Sequence, residues 1–197
     1  MPNNENLNFL YEIGSLKNME RGWRQHLAME VATVPEHIYR VVWLALIIAR
    51  GENAQIDENK LIKMALVHDI PETRVSDLSY IQKVYVKADE EKAANDLFTG
   101  TILEDYGGIL KEYEKRECLE AKIVKDADNL EVDLELKEFE ERGSKLPEKW
   151  AEFRRLIREQ KLYTETAKKI WDEIQTSNPS EWHIKSNKWV RLPEAGK

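Results

Sequence analysis

The chain is short of cysteine, glycine, histidine, excess positive charge and long apolar runs, and each shortage removes a class of explanation. Cys118 is the single cysteine in 197 residues. An intramolecular disulfide and a thiolate metal cage are both excluded, and a reducing, cytoplasmic compartment is the expectation. The longest apolar stretch, VVWLALIIA, has nine residues, against the roughly 20 that a membrane-spanning helix needs. The start, MPNNENLNFLYEIG, lacks the basic and apolar segments of a secretory signal. Acidic residues outnumber basic ones 37 to 30, for a net charge of -7, which speaks against a nucleic-acid partner. Only eight glycines are present, and no segment alternates apolar and polar residues for long.

What is there reads as helix. Between Glu36 and Arg50 the apolar residues Ile38, Val41, Val42, Leu44, Ala45, Ile47 and Ile48 nearly encircle the segment, which marks a deeply buried helix that Gly51 stops. Asp57 is placed to cap a second helix running to His68, and Pro71 forbids its continuation beyond Ile70. Residues 87–107 have helical composition. A long segment from about Ile109 to Arg142 carries Leu119, Ile123, Ala127, Leu130 and Leu134 on one stripe, and a last one runs from Pro147 to about Gln175. The expected fold is all-α: one domain over residues 1–177, then a polar tail over 178–197 whose Trp182 and Trp189 pack onto the domain or a second subunit. The mixed-charge runs EEKAAND, KEYEKRE and KEFEERGSK read as solvated faces.

Histidine is limited to His26, His37, His68 and His183, so placement carries the information. His37 opens the most apolar helix, and His68 with Asp69 ends the next one. Histidines at the ends of two buried helices can converge in a bundle, where such folds build metal sites. They can equally be caps or satisfied core residues, and an HD dipeptide alone does not decide between these readings.

The order of the motifs does more. His37 ends TVPEH, His68 and Asp69 open HDIPE, Asp77 follows Glu72 by five, and the segment KIVKDADNLEVDLEL lies further on. Upstream stand Arg21 and Trp23, separated by Gly22. Over about residues 5–175 this series resembles the HD-domain superfamily of metal-dependent phosphohydrolases, and more narrowly the 5'-deoxynucleotidases. The resemblance implies a helical bundle with a metal site between helices, His37, His68, Asp69 and Asp128 as metal ligands, Glu72 as general acid or base, and Arg21, Trp23 and Asp77 as substrate contacts. At the last ligand two readings compete. The apolar stripe through Ile123 and Leu130 passes closer to Asp126, whereas the family pattern aligns KDAD so that Asp128 is the ligand; the motif is followed here.

Imidazoles mixed with carboxylates suit one divalent ion such as Mn, Co, Ni, Fe or Zn, with Mg admitted as well. Such an ion activates water and neutralises phosphoryl charge. Glu72 is the candidate for proton transfer, Arg21 offers a fork for phosphate, Trp23 an apolar face for sugar or base, and Asp77 an acceptor for a sugar hydroxyl or a cap for the segment after it. The implied activity is removal of the 5'-phosphate from (deoxy)ribonucleoside monophosphates by a cytoplasmic homodimer. Two alternatives stay open: an HD hydrolase for another nucleotide phosphate ester (triphosphate, cyclic or signalling nucleotide), and a non-catalytic metal- or nucleotide-binding module.

Overall fold

The computed structural model describes residues 4–186 and Trp189. Among the described residues every regular element is helical, apart from one isolated antiparallel bridge between Glu20 and Thr33. The helices are α1 (Asn4–Gly14), α2 (Arg24–Leu27), α3 (Val34–Gly51), α4 (Glu58–Val67), α5 (Glu72–Val75), α6 (Gln82–Tyr85), α7 (Glu90–Phe98), α8 (Tyr106–Lys115), α9 (Leu119–Glu141), α10 (Leu146–Gln160), α11 (Glu165–Thr176) and α12 (Glu181–Lys185). A 3-10 turn, Ser15–Asn18, follows α1.

Local chemistry explains the two helices that matter most at the N-terminal end. Thr33 and Glu36 form a capping box at the start of α3, and Pro35 sits in its first turn, where its missing N–H costs nothing. Asp57 caps α4 by accepting from the Asn59 and Lys60 amides at 3.0 and 3.1 Å. On α3 the residues Val34, His37, Ile38, Val41, Leu44, Ala45 and Ile48 are buried, recurring at helical spacing along one face. Val41, Leu44, Ala45 and Ile48 pack in a core that includes Leu61, Met64, Ile123 and Leu130, each fully buried, while Val34 and Ile38 pack with Leu16 and Met19. Truncating one of these to Ala typically costs about 2–5 kcal/mol.

α9 is the axis of the bundle, in contact with α3, α4, α8, α10 and α11. The segment expected to be one helix from Ile109 to Arg142 is two, broken at Arg116, whose φ of 55° places a non-glycine residue in the left-handed region. Its guanidinium lies 3.4 Å over the Tyr113 ring, which helps hold that conformation. The segment from Pro147 to Gln175 is also two helices. Between them Asp126 accepts hydrogen bonds from the Tyr163 amide (2.8 Å), the Thr164 amide (2.8 Å) and the Thr164 hydroxyl (2.7 Å), while Thr164 caps α11 through the Ala167 amide. Within the stretch 87–107 the helix runs from Glu90 to Phe98, Gly100 turns the chain with a φ of 77°, and α8 begins at Tyr106. In the C-terminal part, Trp182 on α12 is 70% exposed; residues 187, 188 and 190–197 of the expected tail lie outside the described residues.

Asp126 therefore ties the α10–α11 turn to the axis. Asp126→Ala strands two amides and a hydroxyl, a loss of roughly 2–5 kcal/mol, and a fall in melting temperature of about 5–15 °C follows for a chain of this size. Thermal unfolding at neutral pH checks this; a fall below 2 °C would show that the turn is held by something else.

Candidate metal centre

Four side chains named from the sequence meet at one point. His37 comes from the first turn of α3, His68 and Asp69 from the end of α4, and Asp128 from the middle of α9; each offers one ligand atom, and these atoms all lie within 4.8 Å of one another. His37 Nε2 is 3.3 Å from Asp69 Oδ2, 3.2 Å from Asp128 Oδ1 and 3.4 Å from His68 Nε2. His68 Nε2 is 3.3 Å from the same Asp69 oxygen. Both histidines are buried, whereas the Asp69 and Asp128 side chains keep 18% and 14% of their exposure, which leaves the carboxylate side open to solvent.

The imidazoles are oriented from behind. His68 Nδ1–H donates to the Ala65 carbonyl at 2.8 Å, and His37 Nδ1–H donates to Glu131 Oε2 at 2.6 Å. With Nδ1 committed as donor on both rings, each Nε2 turns toward the cluster, which is how a metal-binding histidine is usually held. Burial and Arg21 work against charge on His37, but Asp128, Asp69 and Glu131 outweigh them and raise its pKa well above the usual value. Burial works against charge on both aspartates too. His68 and His37 nonetheless hold Asp69 well below the usual carboxylate range, and Lys125 and His37 do the same for Asp128. Two imidazole nitrogens and two carboxylate oxygens so arranged fit a divalent ion.

The remaining sequence candidates divide. Arg21 reaches the cluster, with Nη1 3.5 Å from Asp69 Oδ2 and Nε 2.9 Å from Asp77 Oδ2, yet neither nitrogen has an aligned hydrogen-bond acceptor. Asp77 does not cap α6. Its Oδ2 accepts from the Gly22 amide at 3.0 Å, and Ser79 and Gln82 cap that turn instead. A Cβ on Gly22 would stand 2.3 Å from the Asp77 carbonyl oxygen, so the clasp between residues 21–23 and 77–79 admits only glycine. Glu72 opens α5, and its Oε2 is buried without a partner; burial, then Asp69 and Asp77, push its pKa up to about 10 against the pull of Arg21 and His37. Trp23 turns into a separate aromatic group, with its ring 6.2 Å from both Phe139 and Trp150. Asp126, the rival to Asp128, faces the α10–α11 turn and not the cluster.

Two neighbours of the site were not foreseen. Glu131 is 1% exposed behind His37, and Lys125 Nζ lies 2.7 Å from Asp128 Oδ2. Both stand three residues from Asp128, one on each side, so the spacing that puts them on its face of the helix was available in KDADNLE. Tyr113 also packs its ring 5.8 Å from that of His68.

A family model described as "HD domain" matches residues 13–176. The chain belongs to the HD-domain family. This HD domain is 33% identical over 155 residues to the 5'-deoxynucleotidase HDDC2 of Dictyostelium discoideum, covering 73% of this chain and 82% of that protein. With the protein of the same name from Danio rerio it shares 31% identity over 143 residues, 68% of this chain and 70% of the other. Among solved structures, a conserved hypothetical protein from Pyrococcus furiosus superposes with a TM-score of 0.73 at 28% identity, covering 86% of this chain and 98% of that one. A predicted metal-dependent phosphohydrolase from Magnetospirillum magnetotacticum shares the fold, with a TM-score of 0.67 at 23% identity, 87% of this chain and 90% of that one.

The support behind His37 gives a prediction. Glu131→Gln keeps the size and removes the charge that orients the imidazole, so affinity for a divalent ion should fall about 10- to 100-fold with the fold intact. Titration of ion-free protein with Mn2+ measures it, and unchanged affinity would reduce Glu131 to a packing role.

Proposed function

We propose that this HD domain removes the 5'-phosphate from nucleoside monophosphates, with deoxyribonucleotides favoured, and that His37, His68, Asp69 and Asp128 hold its single divalent ion. The observation that carries the reading is the convergence of those four donors beside a buried Glu72 oxygen that has no partner and an Arg21 whose donors are not used up. The 5'-deoxynucleotidase relatives support the same substrate class. The mixed nitrogen and oxygen set suits Mn, Co, Ni, Fe or Zn, and Mg is compatible.

A divalent ion bound there would supply Lewis-acid chemistry: it would activate water, neutralise phosphoryl charge and oppose the rise that burial, Asp69 and Asp77 impose on Glu72. The protein's own groups do the rest. Arg21 directs its free donors to the phosphate oxygens, and Lys125, beside Asp128 and partly exposed, adds a second positive charge on the other flank. Glu72 moves the proton. Water forms the new O–P bond, the bond from phosphorus to the sugar's 5'-oxygen breaks, and the proton lost by water ends on that oxygen, leaving nucleoside and inorganic phosphate. Asp77 accepts from a sugar hydroxyl, and Trp23 offers its face to the sugar or base.

The same reading keeps a cytoplasmic homodimer. No helix among the described residues is long and apolar enough to cross a membrane, and the exposed stripe of Tyr39, Trp43 and Ile47 on α3 is a face that a second copy would cover. The one-domain organisation with an appended tail from residue 178 belongs to it too.

Glu72→Ala tests the assignment. Ion content and melting temperature should be kept, nucleotide affinity should stay within about tenfold, and turnover of deoxyribonucleoside monophosphates should fall roughly 10² to 10⁴-fold. Phosphate release is measured for both proteins with mono-, tri- and cyclic nucleotides and several ions. Equal rates would remove Glu72 from the mechanism, preference for another ester would change the substrate, and binding without turnover would make the domain a sensor.

A further inference from the structure

An aromatic cavity lies along α9 from the metal centre. It has a volume of about 310 Å³ and is lined by Trp23, Tyr80, Val132, Trp150, Phe153 and Arg154, a size at the lower end of the roughly 300–1,000 Å³ of small-molecule sites. We infer that this cavity binds the nucleobase of the substrate, an inference that rests on the nucleoside monophosphate reading above.

Placement is the first argument. Three of its four walls continue segments that also contribute to the metal centre or its neighbours. Val132 follows Asp128 by four residues on α9, which puts it on nearly the same side of the helix and about 6 Å further along. Tyr80 follows Asp77 by three residues, and Trp23 follows Arg21 by two, across the clasp that Gly22 and Asp77 close. A molecule with its phosphate between Arg21 and the cluster, and a sugar near Asp77, has its other end directed at these walls. The fourth wall is α10, whose Trp150, Phe153 and Arg154 share one face at spacings of three and four.

Lining chemistry is the second argument. Tyr80 and Phe153 are 56% and 54% exposed, so two aromatic faces stand in solvent at the cavity. The single charged group is already spent: Arg154 is paired with both oxygens of Asp133 at 2.9 and 2.7 Å and donates to the Asn129 carbonyl at 2.8 Å. A phosphate would find no free cation, whereas a flat uncharged ring would find stacking partners. Within this aromatic group two buried nitrogens, Trp23 Nε1 and His26 Nε2, have no hydrogen-bond partner. The His26 ring lies 5.2 Å from Tyr80 and 6.4 Å from Trp150. Buried polar atoms of this kind are rare, and the edge of a nucleobase supplies acceptors for Trp23 Nε1 and either partner for His26.

The test compares dAMP with 2-deoxyribose 5-phosphate, which lacks only the base. Their affinities for the full-length, Mn2+-loaded protein are measured by calorimetry, and phosphate release is followed in parallel. Stacking at about 1–3 kcal/mol per base predicts that dAMP binds roughly 5- to 150-fold more tightly. Tyr80→Ala and Phe153→Ala remove exposed rings whose loss leaves the core intact, and each should bring that ratio toward one; Trp150→Ala should do so more strongly. Equal affinities in the wild-type protein, no dAMP binding, or a large ratio that none of the three variants reduces would each overturn the inference. The outcomes separate it from the reading beneath it. Hydrolysis of both compounds with equal affinities leaves the phosphohydrolase and removes the base site. Base-dependent affinity without any hydrolysis keeps the base site and removes the phosphohydrolase.

Discussion

Concentrated negative charge inside a helical bundle is the constraint from which the rest of this molecule follows. Asp69, Asp128 and Glu131 crowd one end of the core, and an ionised carboxylate out of water is costly unless a positive partner stands against it. Arg21 and Lys125 supply part of that compensation. They do not supply all of it: burial first, and then Asp69 and Asp77, push the Glu72 carboxyl up to about 10. A cation of higher charge at the convergence of the four donors would relieve this crowding, and would link the cluster to the stability of the fold as well as to its chemistry.

α9 distributes this burden by giving each of its buried acids a separate task. Asp126 anchors the α10–α11 turn, Glu131 orients His37, Asp133 binds Arg154, and Glu135 accepts from the Ala32 amide at 2.7 Å just before α3 begins. Four acids on one helix thus connect the metal centre, the chain entering α3, the α10 face and the last turn of the bundle. The rigidity that catalysis needs comes from these connections: the same helix carries Asp128, and its neighbours on three sides are fixed to it by hydrogen bonds.

This arrangement sets what the sequence could disclose. His37, His68, Asp69 and Asp128 were legible because their order and flanking residues form a pattern, although the periodicity of α9 favoured Asp126. The apolar stripe does pass close to Asp126, which is fully buried; its carboxylate faces the turn at Thr164 and not the four-residue cluster. Glu131, Asp133 and Glu135 were illegible for the opposite reason. In DNLEVDLELKEFEE they look like a solvated, mixed-charge face, and only the neighbouring helices make them interior. The two helix breaks were hidden as well. Neither Arg116 nor the Lys161–Thr164 turn carries glycine or proline, so the chain is turned by Tyr113 in one place and by Asp126 in the other, both contacts that local propensity does not encode.

The central claim is that four converging side chains hold one divalent ion, and ion stoichiometry tests it most directly. Protein stripped of metal, reloaded with Mn2+ or Co2+ and freed of excess is analysed for bound ion alongside His68→Ala. The account predicts close to one ion per wild-type chain, with occupancy lost in the variant and a lower melting temperature for the stripped protein. Wild-type protein that takes up no stoichiometric ion, or a variant that binds as much as the wild type, would contradict it.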